Sequence, residues 1–183
     1  MRNLVYAING SIDGCCDHAK MNGDEEIHEY LTNLIRNAGP LLYGRVTYQL
    51  MVPFWPDVAR NQSMSTVSNE FARVFDSVGK VVFSKSLDQA EGNTRIIRGN
   101  LREEVLKLKQ EEGKNILVGG VDLPSQLIDL GLVDEYYFVV QPSIVGEGRR
   151  LLDGIKLREK LKLKLADART LKSGCLALHY LKI

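Results

Sequence analysis

Long apolar runs, paired cysteines, clustered histidines and an excess of one charge are all scarce in this chain, and each scarcity removes a class of protein. Lys and Arg number 24 against 23 Asp and Glu, a net charge of +1. No global field therefore draws the chain to nucleic acid or to an anionic membrane. Hydrophobic residues make up 44% of the sequence, yet no apolar stretch approaches the ~18 residues that cross a bilayer. The start, Met1-Arg2-Asn3-Leu4, lacks a signal-peptide pattern. A cytoplasmic protein with a small-molecule partner is the expectation. Cys15 and Cys16 are adjacent and Cys175 is alone, which disfavours a disulfide framework. His18, His28 and His179 match no ligand spacing, so no metal is expected. Also missing are GxGxxG, GxxxxGK[ST] and GxSxG, which leaves a Rossmann site, an NTPase P-loop and a hydrolase nucleophile elbow unsupported.

What is present is alternation. With 183 residues the chain suits one domain, 1–183, large enough to bury roughly 70% of its unfolded surface. Leu4 to Ile8 reads as a first buried strand, followed by the turn-rich Asn9-Gly10-Ser11-Ile12-Asp13-Gly14. Asp24 reads as an N-cap before Ile27, Tyr30, Leu31, Leu34, Ile35 and Ala38 at helical spacing. Leu41-Leu42-Tyr43 is a short strand and Arg45 to Met51 a short helix, followed by a loop around Pro53 and Pro56. Trp55 in that loop could line a cleft, meet a partner subunit or simply pack. A polar stretch, Asn61 to Asn69, leads into a helix near Glu70 to Asp76, then strands Lys80–Phe83 and Thr94–Ile97 and a helix striped by Leu101, Val105 and Leu108. Ile116 to Val118 is a strand, Leu123 to Leu130 a helix and Glu135 to Val140 a strand. Leu161 to Leu165 reads as a strand with one wet face, and Cys175 to Ile183 closes a hairpin. The fold class is α/β, with a mixed sheet.

Three strand ends carry residues suited to phosphate. They are Gly44-Arg45-Val46-Thr47, Ser84-Lys85-Ser86, and Gly119-Gly120 followed by Val121-Asp122-Leu123. Parallel strands bring their C-terminal ends to one edge, where open α/β folds bind ligands. Glycines there let the backbone approach a pyrophosphate, and helix starts offer free amides. Arg45, Ser84 and Lys85 can offer a 2'-phosphate cationic and hydroxyl groups. The combination suits NADPH. About 20 residues beyond Gly120 the chain reads Gln141-Pro142, without the acid that a Rossmann site places on the ribose.

The motifs Ile12-Asp13-Gly14, Leu42 to Tyr48, Val82-Phe83-Ser84-Lys85, Ile116 to Gly120, Leu132-Val133-Asp134-Glu135 and Pro142 to Gly148 occur in an order that resembles the dihydrofolate reductase-like superfamily. More closely, they are similar to the reductase domain of the riboflavin-biosynthesis deaminase-reductase and its stand-alone relatives. The resemblance implies a three-layer fold, with a mostly parallel central sheet, helices on both faces and a C-terminal antiparallel hairpin. It implies an NADPH-dependent oxidoreductase like 5-amino-6-(5-phosphoribosylamino)uracil reductase, passing a hydride to a C=N bond or ring-opened sugar imine of a pyrimidine- or pteridine-like substrate. Ala7, Gly44, Arg45, Thr47 and Gly119 through Leu123 (Gly120, Val121 and Asp122 between them) would then hold the cofactor, with Ser84 and Lys85 on the 2'-phosphate. Asn9, Asp13 and Gln141 would meet the substrate, and a homodimer is implied.

Two departures from that pattern stand out. Where dihydrofolate reductases place a carboxylate on the first long helix, an ungapped count from Gly44 finds His28. An imidazole can donate a proton, and Asp24 lies close by, so Asp24 and His28 are the catalytic candidates. Where the riboflavin enzyme carries substrate-phosphate contacts, this chain reads Lys20-Met21-Asn22-Gly23-Asp24-Glu25-Glu26, which is acidic. Dihydrofolate reductase proper and a non-catalytic NADPH-binding protein are the alternatives.

Overall fold

The computed structural model describes residues 1–21 and 23–183, so Asn22 of the acidic run lies outside the described residues. Eight strands form one sheet: β1 (Leu4–Ser11), β2 (Ala38–Gly44), β3 (Lys80–Phe83), β4 (Thr94–Ile97), β5 (Asn115–Val118), β6 (Glu135–Gln141), β7 (Leu163–Thr170) and β8 (Leu176–Lys182). Their spatial order is β4-β3-β2-β5-β1-β6-β8-β7. The first six run parallel, and β8 and β7 add an antiparallel hairpin beside β6. Among the described residues six helices pack on the sheet: α1 (Glu25–Arg36), α2 (Arg45–Met51), α3 (Trp55–Asn61), α4 (Thr66–Ser77), α5 (Leu101–Gln110) and α6 (Asp122–Asp129).

The central strands are apolar on both faces because both are covered. Side chains alternate between the faces with a period of two. Leu4 and Tyr6 of β1, Leu42 of β2, Val81 of β3 and Ile116 and Val118 of β5 enter one core with α5 and α6. Val5 and Ala7, Leu41 and Tyr43, Val82 and Leu117 enter the other, with α1, α2, α3 and α4. Asp134 ties the start of this frame together. Its Oδ2 accepts from the Leu4 amide (2.7 Å) and from the buried Lys109 Nζ of α5 (2.5 Å).

Four elements differ from the sequence reading. Ala38, read into the apolar stripe of the first helix, opens β2 instead, because α1 stops at Arg36 with Asn37 as its C-cap. The Pro53–Pro56 loop contains α3, because a proline in the first turn costs no helical hydrogen bond. Helix α4 starts at Thr66 rather than near Glu70, because Ser65 caps it by accepting from the Ser68 amide. Strand β7 starts at Leu163 and lies at the sheet edge, so its leucine face is only partly covered and Leu165 is 51% exposed. Trp55 is buried and packs edge-on against His28, Phe54 and Phe71, which settles it as core. Among the described residues, no helix is long and apolar enough to cross a membrane.

Phe75 of α4 is fully buried against Phe71 and Tyr43, with Lys80 Nζ 4.6 Å over its ring. Phe75→Ala leaves a cavity, and urea unfolding should show a loss of about 3–5 kcal/mol. A loss below ~1 kcal/mol would mean that the α4 layer adds little to the core.

Candidate functional site

The C-terminal ends of β4, β3, β2, β5 and β1 share one edge and open into a cleft of about 960 Å³. That volume lies at the upper end of the ~300–1,000 Å³ usual for small-molecule and cofactor sites. Strand order fixes the sequence of side chains along it. Arg98 and Gly99 follow β4, Ser84 and Lys85 follow β3, and Gly44, Arg45 and Thr47 follow β2. Gly120 through Leu123 follow β5, and Ile8 with Cys16, Asp17 and His18 belong to β1 and its loop.

The floor at β5 is backbone. Gly120 has φ +92°, and a Cβ there would lie 2.3 Å from Thr47 Oγ1. Only glycine fits such a position without strain. Its carbonyl accepts from Tyr6 Oη (3.0 Å), and burial raises the Tyr6 phenol far above its ordinary range, so it remains a donor. Val121 caps α6 without a side-chain hydrogen bond, leaving first-turn amides free for an anion. Gly44, Arg45, Thr47, Ser84, Lys85, Gly120, Val121, Asp122 and Leu123 all line this cleft. Ala7 and Gly119 lie just behind it: Ala7 is buried, and a Cβ on Gly119 would meet Tyr43 at 3.2 Å.

A roof crosses the β1 end. Asp13 Oδ1 accepts from the Val145 amide (3.1 Å) and Ser11 Oγ (2.5 Å), and Oδ2 accepts from the Gly146 amide (2.9 Å) and Arg150 (3.0 Å). The Ser11 hydroxyl and these amides hold the Asp13 carboxyl far below its usual range. The Cys16 amide donates to the Arg149 carbonyl (2.8 Å), and the Arg149 guanidinium reaches Asp122. Cys16 faces the cleft with its thiol pushed up to about 11 by burial and by Cys15. It is therefore a neutral surface near pH 7. All three cysteines are free.

The remaining candidates sit elsewhere. Asp24 caps α1, accepting from the Glu26 and Ile27 amides. His28 stacks on Phe71 with its Nδ1 3.2 Å from Ser68 Oγ, and burial lowers its pKa. Neither lines the cleft. Asn9 and Gln141 face each other at 3.4 Å across neighbouring strand ends. Sequence reasoning missed Arg98, Cys16, Asp17, His18 and Arg149. Arg98-Gly99 directly after a strand was a usable signal; Arg149 lies 27 residues from Asp122 and carried none.

A mixed sheet in this order with a ligand-sized edge cleft defines a dihydrofolate reductase-like domain. The chain belongs to the RibD C-terminal domain family, whose model matches residues 2–177. It is 32% identical over 178 residues to the uncharacterized protein YyaP of Bacillus subtilis (strain 168), covering 97% of this chain and 87% of that protein. A crystal structure from Shewanella sp. PV-4, named as a riboflavin biosynthesis protein, superposes with a TM-score of 0.75 at 18% identity, over 100% of this chain and 99% of that one. The Thermotoga maritima diaminohydroxyphosphoribosylaminopyrimidine deaminase/5-amino-6-(5-phosphoribosylamino)uracil reductase superposes with a TM-score of 0.69 at 15% identity, and this chain spans 57% of its length. At such identities the two structures establish the fold, and the family model makes the chain a riboflavin-type reductase-like domain.

Asp13 contributes to holding the roof above the ordinary carboxylate range, and that contribution disappears only as pH falls through its depressed folded value. Amide exchange at Val145 and Gly146 should therefore stay slow from neutral pH to below pH ~4. Asp13→Ala should speed that exchange by about tenfold or more at neutral pH. Unchanged exchange would show that the roof is held by other contacts.

Proposed function

We propose that the chain is an NADPH-dependent reductase acting on a pyrimidine- or pteridine-like acceptor. The single observation that carries this reading is the order of groups along the cleft: cations unpaired among the described residues at the β2–β4 end, bare backbone at β5 and, at β1, an acid and a cation that is already paired. The glycine floor, the uncapped start of α6 and the cleft volume all fit an extended dinucleotide. Arg45, Ser84, Lys85 and Arg98 would hold its 2'-phosphate, and the Gly120–Leu123 turn its pyrophosphate. When bound there, a reduced nicotinamide supplies a hydride to an electrophilic carbon.

The protein's own residues then do the positioning. Tyr6 fixes the Gly120 peptide so that the pyrophosphate floor needs no rearrangement. Ile8 and the protonated Cys16 give the β1 end an uncharged patch beside Asp17 and the ion-paired Arg149, while backbone hydrogen bonds tie the 143–150 segment to the loop after β1. The family membership and the name of the Thermotoga neighbour, a deaminase/reductase, support this reading.

Arg45 forms no ion pair among the described residues; its Nη1 donates to Gln49 Oε1 at 3.1 Å. Arg45→Ala should weaken NADPH binding by about tenfold and NADH binding much less, measured by calorimetry. Equal losses for the two would remove Arg45 from the 2'-phosphate and undercut the assignment of the β3–β4 end.

A further inference from the structure

The cations around the cleft fall into two sets with different partners. At the β3–β4 end, Arg45, Lys85 and Arg98 line the wall and no carboxylate lines it with them. None of the three forms an ion pair among the described residues. Arg45 meets the amide of Gln49, and Arg98 Nη2 donates to the Leu87 carbonyl (2.5 Å). At the β1 end, among the described residues, the lining cation Arg149 and the loop cations Lys20 and Arg150 are already matched. Arg149 pairs with Asp122, Arg150 with Asp13 (3.0 Å) and Lys20 with Glu147 (2.6 Å). Asp17 adds an acid to the lining.

These pairs also build the roof. Each joins the loop after β6 to the loop after β1 or to the start of α6, so freeing a cation for an incoming phosphate would release a tie between these segments. A phosphate at the β1 end meets only cations already seated on a carboxylate, with the Asp17 carboxylate beside them, so it finds no unmatched positive charge there among the described residues. At the β3–β4 end it meets cations with no competing anion.

Resting on the reductase reading above, we propose that the acceptor bound at the β1 end carries no phosphate and is an uncharged or cationic heterocycle. The site thus departs from the phosphoribosylated pyrimidine for which the Thermotoga neighbour is named. One cleft holds one phosphate-rich ligand, in one orientation, with a phosphate-free partner beside it.

Inorganic phosphate tests this when titrated into the whole chain and followed by amide NMR, without and with saturating NADP+. Phosphate alone should shift the amides of Arg45, Ser84, Lys85 and Arg98, and NADP+ should abolish those shifts. Cys16, Asp17, His18, Arg149 and Arg150 should not respond in either case. Glu147→Gln, which releases Lys20, should create a phosphate response at the β1 end. A wild-type phosphate response at Cys16–His18 or Arg149–Arg150 would overturn the proposal, as would the absence of any response at the β3–β4 end. Failure of NADP+ to bind would instead overturn the cofactor reading, while the positions shifted by phosphate in the free protein would still report where the chain accepts an anion.

Discussion

The peptide at Gly120, held in a conformation that only glycine adopts freely, is the constraint on which the cleft depends. At φ +92° with Thr47 Oγ1 directly beneath, it leaves no room for a side chain, so β5 ends in exposed backbone. Tyr6 from β1 fixes its carbonyl from one side, and Thr47 from α2 packs against it from the other. Three elements separated in sequence thereby meet at one point in the middle of the parallel sheet. The cation-bearing strand ends lie on one side of that point and the roofed β1 pocket on the other.

Charge arrangement then gives the cleft a direction. Acids and bases are nearly equal over the whole chain, so long-range attraction is weak. Selectivity has to come from local placement, and the structure supplies it by leaving cations without acids at one end and matching them at the other. The same ion pairs that neutralise the β1 end hold the 143–150 segment over it. Charge matching and the attachment of this loop are one feature here rather than two.

Much of this was legible in the sequence for definite reasons. Strand apolarity was readable because β1, β2 and β5 are covered on both faces and tolerate little else. The glycines and cations after β2, β3 and β5 were readable because turn chemistry is local. Helix α3 was not, since Pro53 and Pro56 read as breakers although Pro56 sits where a helix accepts it. Arg98-Gly99 after a strand is a local signal of the same kind, but only the strand order brings the end of β4 beside Lys85. Asp13 was read as a substrate contact, yet its carboxylate is occupied by amides more than 130 residues away, a pairing with no local signature. His28 followed from an ungapped count, and its ring lies between Trp55, Phe71 and Ser68.

The most direct measurement of the central claim is an amide NMR titration of the whole chain with NADPH. Shifts should run along one edge, from Arg98 and Lys85 through Arg45 and Gly120 to Ile8 and Cys16, and leave the β7–β8 hairpin untouched. Binding without shifts at Gly120 and Lys85, or no binding at all, would contradict the account.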